Sequence, residues 1–262
     1  MLKNDTLQLI FILLFITILC MMYMIYKICD SDESLNYYIY DSKNPGQTVV
    51  IIGGTHGNEP IGSIAIHSLI EKLNNNSNKL KTGKLILIPD VNYCGLKLGI
   101  RFIPGIGDLN RKYPILNNDY TGCPITDKII NLIKDADFIL DFHEGWGFHR
   151  IDNSSMGSTI TPTETNNSNR IADILYDNIN KIINIDYKKF KIFVNDDRYI
   201  SNPEKYSKIN DINGSLRYFA NIKKKDYVLI EITGQNNIQT IEVRKLQADL
   251  IIENIMKIYK LI

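Results

Sequence analysis

Apolar residues fall into three patterns along this 262-residue chain. Leu7 to Ile25 is a continuous apolar stretch broken only by Gln8 and Thr17, and its length predicts a helix that crosses a bilayer. Short β-branched runs predict buried strands at Thr48-Val49-Val50-Ile51-Ile52, Lys84 to Pro89, Phe138 to Phe142, Phe190 to Val194 and Tyr227 to Ile232. Between these runs the apolar residues recur at helical spacing. Glu59-Pro60 opens one helix carrying Ile61, Ile64, Ala65, Leu69 and Leu73, and others are predicted over Thr126 to Ala136, Asn169 to Ile183 and from about Ile238.

Strands alternating with helices, and strands that are apolar on both faces, predict an α/β fold. We expect a single three-layer domain with a mixed, mostly parallel twisted sheet covered by helices on both faces. Residues 1–28 read as a cytoplasmic stub and membrane anchor, 29–47 as a juxtamembrane linker and first strand region, and 48–262 as the domain. The Ser-, Thr- and Asn-rich segment from Arg150 to Asn167 reads as a surface loop. Nothing near Met21 to Lys27 supplies the small residues of a cleavage site, so the apolar helix reads as an uncleaved anchor. Lys3 on one side, and Lys27 followed by Asp30, Asp32 and Glu33 on the other, favour a domain on the non-cytoplasmic face.

A formal net charge of +1 gives no basic field, which argues against a nucleic-acid partner. Cys20 lies in the apolar helix and Cys29 just beyond it; Cys94 and Cys123 remain for the domain, either bridged to each other or as free buried thiols.

The chemistry gathers at the ends of predicted strands, where ligands bind in such sheets. His56 and Glu59 in Gly53-Gly54-Thr55-His56-Gly57-Asn58-Glu59-Pro60, with His143 in Asp141-Phe142-His143-Glu144-Gly145, offer two imidazoles and a carboxylate. That set fills three positions around a catalytic zinc and leaves one for water. Taken singly, each has a plain structural reading: a polar turn, a helix-opening carboxylate, a satisfied interior histidine. Asp108-Leu109-Asn110-Arg111 supplies an aspartate able to fix a ligand histidine's tautomer, and an Asn-Arg pair suited to a substrate carboxylate. Arg101 can stabilise an oxyanion. Glu231, a carboxylate interrupting an apolar strand, is either paired or catalytic.

Ordered along the chain, these motifs resemble the zinc carboxypeptidase superfamily, which includes the pancreatic-type carboxypeptidases and the succinylglutamate desuccinylase/aspartoacylase deacylases. The resemblance runs from about Thr48 to Gln247 and implies one Zn2+ held by His56, Glu59 and His143, with Asp108 behind His56. It implies Arg101 at the oxyanion, Asn110 and Arg111 on the substrate carboxylate, and Glu231, in Tyr227-Val228-Leu229-Ile230-Glu231-Ile232-Thr233-Gly234, as general base. In Asn213-Gly214-Ser215-Leu216-Arg217-Tyr218, the side-chain pocket would be lined by Leu216, for an apolar preference, or by Arg217, for an acidic one. Tyr206 is the candidate for the family's mobile tyrosine, against a plain surface role. The chain runs a single helix past Glu231, which favours a compact carboxypeptidase-like core. We expect Trp146 at the pocket rim, His149 as a loop residue and His67 as a packing or surface histidine.

The expected activity is therefore zinc-dependent hydrolysis, by a membrane-anchored enzyme, of an amide bond next to a free carboxylate. The substrate would be a small peptide or an N-acyl amino acid. The alternative is a catalytically silent, membrane-displayed binding module on the same fold, which would have no need of Glu231 and Arg101 together.

Overall fold

A computed structural model describes residues 4–29, 35–75, 80–116, 120–209 and 212–262. Lys3, Asp30, Asp32, Glu33 and the Lys27 side chain, on which the expected orientation rests, lie outside the described residues. Helix α1 (Asn4–Cys29) contains one stretch, Thr6–Met24, long and apolar enough to cross a membrane, and none of it is buried against the domain.

The domain is built on one eight-stranded sheet. Its strands are β1 (Tyr38–Asp41), β2 (Thr48–Ile52), β3 (Lys84–Ile88), β4 (Phe138–Gly145), β5 (Thr159–Pro162), β6 (Lys191–Val194), β7 (Tyr206–Lys208) and β8 (Tyr227–Thr233), in the order β1-β3-β2-β4-β8-β5-β6-β7. Pairing is parallel except for β1 with β3 and β5 with β8, giving the expected mixed, mostly parallel sheet. The helices are α2 (Ile61–Asn74), α3 (Tyr93–Leu98), α4 (Pro124–Ile133), α5 (Asn166–Asn180), α6 (Arg198–Ser201), α7 (Leu216–Ile222) and α8 (Ile241–Ile258).

Strand alternation divides the core between the two faces. Val49, Ile51, Phe138, Leu140, Val228 and Ile230 pack against α2, α5 and α8. Val50, Ile52, Ile139 and Tyr227 pack with residues of α4 and α7 and the loop carrying Ile103 and Leu109. By the same alternation, Asp141, His143 and Glu231 project from the second face.

One expectation is corrected and one open alternative is decided. The segment Arg150–Asn167 is not a surface loop throughout: its Thr159–Pro162 is strand β5, fully buried beside β8. Threonines suit a strand because their branched Cβ fits the pleat, and the Thr159 hydroxyl is satisfied by the Met156 carbonyl at 2.6 Å. Cys94 and Cys123 are not bridged to each other either. Cys94 is bonded to Cys29 at the end of α1, with their Cα atoms 4.8 Å apart, while Cys123 is free and buried.

Candidate active site and metal centre

His56 and Glu59 lie in the turn between β2 and α2, and that turn is pressed onto α3. A Cβ at Gly57 would sit 1.9 Å from the Gly95 carbonyl carbon, so only glycine lets the His56 segment approach this closely. His143 is in β4, directly opposite Glu231 in β8. His56 Nε2 faces Asp108 Oδ1 at 3.1 Å, which turns His56 Nδ1 inward. That nitrogen is 2.9 Å from Glu59 Oε1 and 3.1 Å from His143 Nδ1, and His143 Nδ1 is 2.9 Å from Glu59 Oε2.

With the His56 Nε2 hydrogen donated to Asp108, its Nδ1 presents a lone pair. His143 has the same bias, because Asp141 Oδ2, 3.4 Å from its Nε2, favours the hydrogen on that side. Two imidazole nitrogens and a carboxylate, all nearly fully buried, then face one another within hydrogen-bond distance, a grouping that either a proton on His143 or a metal ion between them relieves. The donor set of two imidazole nitrogens and a carboxylate oxygen suits zinc, and its separations suit the corners of a tetrahedron with bonds of about 2.0–2.1 Å. The residues fit the metal that the motifs imply.

The charges around the triad follow from these contacts. Burial opposes the Glu59 charge, but the bonds to His143 and His56 hold its carboxyl well below the usual range. Burial likewise opposes Asp108, and His56, Arg101 and Arg111 outweigh it. Burial would depress His143, yet Asp141 and Glu59 push it well above an ordinary histidine. Glu231 goes the other way: burial, then the charge of Glu59, pushes its carboxyl up from 4.5 to about 8, against the pull of His143 and Arg101. No hydrogen bond or ion pair engages the Glu231 carboxylate among the described residues.

A cavity of about 210 Å³ opens over His56 and Glu59, while His143 and Asp108 lie behind its wall and do not line it. Of the residues expected at the site, His56, Glu59, Arg101, Asn110, Arg111, Arg217 and Glu231 line it. The Arg101 guanidinium bonds Glu59 Oε1 at 3.0 Å and Asp108 Oδ2 at 3.1 Å. The Leu216 amide donates to the Asn110 side-chain oxygen at 2.9 Å, tying the 3-10 turn Leu109–Arg111 to the start of α7. Leu216 itself is buried in the core with Phe219 and Tyr227 and does not line the cavity; Arg217, one residue on, does. Arg217 is buried, with Nε and Nη2 on the Pro162 carbonyl at 3.2 and 2.9 Å. Tyr206 also lies off the cavity, its hydroxyl on Asp173 at 2.9 Å. Trp146 is exposed and does not line the cavity. His149 is buried between the Ser155 carbonyl and the Ser207 hydroxyl, and half-exposed His67 pairs with Asp90 at 2.7 Å.

Three features escaped the sequence reading. Asp141 backs His143 and accepts the Tyr227 hydroxyl at 2.8 Å; the signal was an acid two residues before a histidine in a strand, hence on its face. Gln235 donates to Glu59 Oε1 at 3.2 Å. Glu144, next to His143, turns to the opposite face, where Arg244 in α8 donates to its Oε2 at 2.6 Å and the Ile61 amide to its Oε1 at 2.6 Å. Nothing local in the sequence announces a pair one hundred residues apart.

Residues 45–157 match the model of the succinylglutamate desuccinylase/aspartoacylase catalytic domain. Over 109 residues the chain is 31% identical to N-alpha-acetyl-L-2,4-diaminobutyric acid deacetylase of Halomonas elongata, covering 39% of this chain and 30% of that protein. Among solved structures, tripeptide-bound cell shape determinant Csd4 of Helicobacter pylori superposes with a TM-score of 0.68 at 17% identity, over 87% of this chain and 56% of that one. The product-bound ectoine utilization protein EutE (DoeB) of Ruegeria pomeroyi gives 0.57 at 20% identity, over 86% and 60%. The chain thus spans little more than half of these solved chains, and its match to the curated deacetylase covers under a third of that protein. Sequence over residues 45–157 and fold over most of the chain together make this protein similar to the succinylglutamate desuccinylase/aspartoacylase group of the zinc carboxypeptidase superfamily.

Proposed function

We propose that this protein is a membrane-anchored, zinc-dependent hydrolase that cleaves an amide bond next to a free carboxylate, as an N-acyl amino acid deacylase or a carboxypeptidase. The observation that carries the reading is the meeting of two inward-facing Nδ1 atoms and the Glu59 carboxylate at 2.9–3.1 Å, with Glu231, which has no hydrogen-bonding partner among the described residues, opposite His143 on the next strand. A zinc ion held by His56, Glu59 and His143 would supply a Lewis acid that acidifies a water and polarises the substrate carbonyl.

The chain's own groups do the rest. Asp108 holds the His56 ring with its Nδ1 inward, and Asp141 faces the outer edge of His143. Glu231, pushed up to about 8, is basic enough to take a proton from the attacking water and acidic enough to return it to the leaving amine near neutral pH. Arg101 opens partly to the cavity and offers its guanidinium to the developing oxyanion. Arg111 offers a fork to the carboxylate beside the scissile bond. Arg217, the buried cation of the cavity wall, favours substrates with a second acidic group, whereas Leu216 lies away from the cavity. One similar solved chain holds a tripeptide and the curated relative is named an N-alpha-acetyl-L-2,4-diaminobutyric acid deacetylase, which supports both substrate classes.

The bridge between Cys29 and Cys94 supports a domain on an oxidising, non-cytosolic side of the membrane. The test is a screen of the purified full chain against N-acyl amino acids and C-terminal dipeptides, with and without a chelator. Hydrolysis that a chelator removes and zinc restores is expected. A folded, zinc-loaded protein that cleaves neither class would favour the binding-module alternative.

A further inference from the structure

Helix α1 does not end in a free tether. Its last residue, Cys29, is bonded to Cys94 in α3 and lies five positions beyond Met24, where the membrane-length apolar stretch ends. At 1.5 Å per helical residue that is about 7–8 Å. The polar zone of a bilayer leaflet is about 5–8 Å thick. A helix spanning the hydrocarbon therefore delivers α3 to the level of the lipid headgroups.

The sequence there suits that position. Residues 91–107 contain no acidic side chain, and Lys97 sits over the Tyr93 ring at 5.3 Å, an aromatic-cation pairing apt for an interface. Phe102, in the turn after α3, is 52% exposed. The same short segment reaches the site. Gly95, next to Cys94, packs on Gly57 beside His56, and Arg101 lines the cavity.

We propose that α3 and the turn through Phe102 form a membrane-docking surface, pinned by the Cys29–Cys94 bridge, that seats the domain on the bilayer with the wall of its cavity at the headgroups. The occupant is the lipid surface into which α1 inserts. The inference rests on α1 being an anchor. It goes further, because an anchor alone would also allow the domain to stand clear of the membrane.

The full chain, reconstituted in phosphatidylcholine/phosphatidylglycerol vesicles with brominated acyl chains, tests this. Trp146 is the only tryptophan, so W146F gives a silent background for two single-tryptophan reporters. F102W reports the docking surface. L246W, on exposed Leu246 of α8 against the opposite face of the sheet, reports the far side. The expected result is bromine quenching and a blue shift for F102W and neither for L246W, in chains that stay with the vesicles through alkaline carbonate. Chains that stay with the vesicles while both tryptophans are unquenched, or equally quenched, overturn the docking surface and leave the anchor standing. Chains released by carbonate overturn the anchor, and the docking surface with it.

Discussion

Two glutamates close adjacent strands of one sheet, and their surroundings could hardly differ more. Glu144, at the end of β4, turns toward α2 and α8, where Arg244 and the Ile61 amide satisfy it on both oxygens. Burial raises its pKa and Arg244 pulls against that rise. Glu231, in β8, faces the other side beside the triad, with no hydrogen-bonding partner among the described residues and a carboxyl pushed up to about 8. Both are carboxylates in apolar strands. The strand's two-residue alternation decides which is locked into the scaffold and which is left open to chemistry.

The most drastic way to break the contrast is on the Glu231 side. His56→Ala removes one of three donors and should leave the folded chain without stoichiometric zinc and without turnover, as read by elemental analysis and hydrolysis assays. On the Glu144 side, Arg244→Met strands a buried carboxylate and should cost roughly 3–5 kcal/mol in denaturant unfolding. The double change Glu144→Leu with Arg244→Met should recover much of that loss, and zinc content should be unaffected in both. Equal loss in the single and double variants would show that the pair does not act as a unit.

Next in size is the substrate effect. Arg217→Met should lower kcat/KM for a substrate with a second carboxylate by about 10–100-fold, the worth of a charge-assisted hydrogen bond, while sparing its neutral counterpart. Equal losses on the two substrates would remove Arg217 from recognition. A pH effect on the chelated protein probes Glu231 without the metal. An acid whose folded pKa is raised contributes stability below 4.5 that is lost as pH rises through about 8. Glu231→Gln should therefore flatten stability across that window relative to wild type, as read by unfolding at several pH values.

What the sequence revealed, and what it hid, follows the range of the interactions. The β-branched runs disclosed five strands and the helical spacing four helices, because both signals are local. Strand β5 was missed because its threonines read as loop, although their branching was itself a strand signal. The meeting of His56, Glu59 and His143 was legible because each sits in a short motif near a strand end. The cavity wall was less so: Leu216 and Arg217 are neighbours, and only the set of α7 against the core shows that the arginine lines the cavity. Tyr206 reads in sequence as either a site tyrosine or a plain surface one, and its hydroxyl rests on Asp173, off the cavity. The Cys29–Cys94 bridge and the Glu144–Arg244 pair join residues far apart in the chain, which no spacing rule reaches.

In the proposed reaction Glu231 moves the proton at a zinc site built by His56, Glu59 and His143. Measuring zinc content and turnover together in wild type and Glu231→Gln tests it most directly. One zinc per chain is expected in both proteins, with a loss of turnover of about 10²–10⁴-fold in the variant alone. A variant that hydrolyses substrate at the wild-type rate with its zinc in place would contradict it.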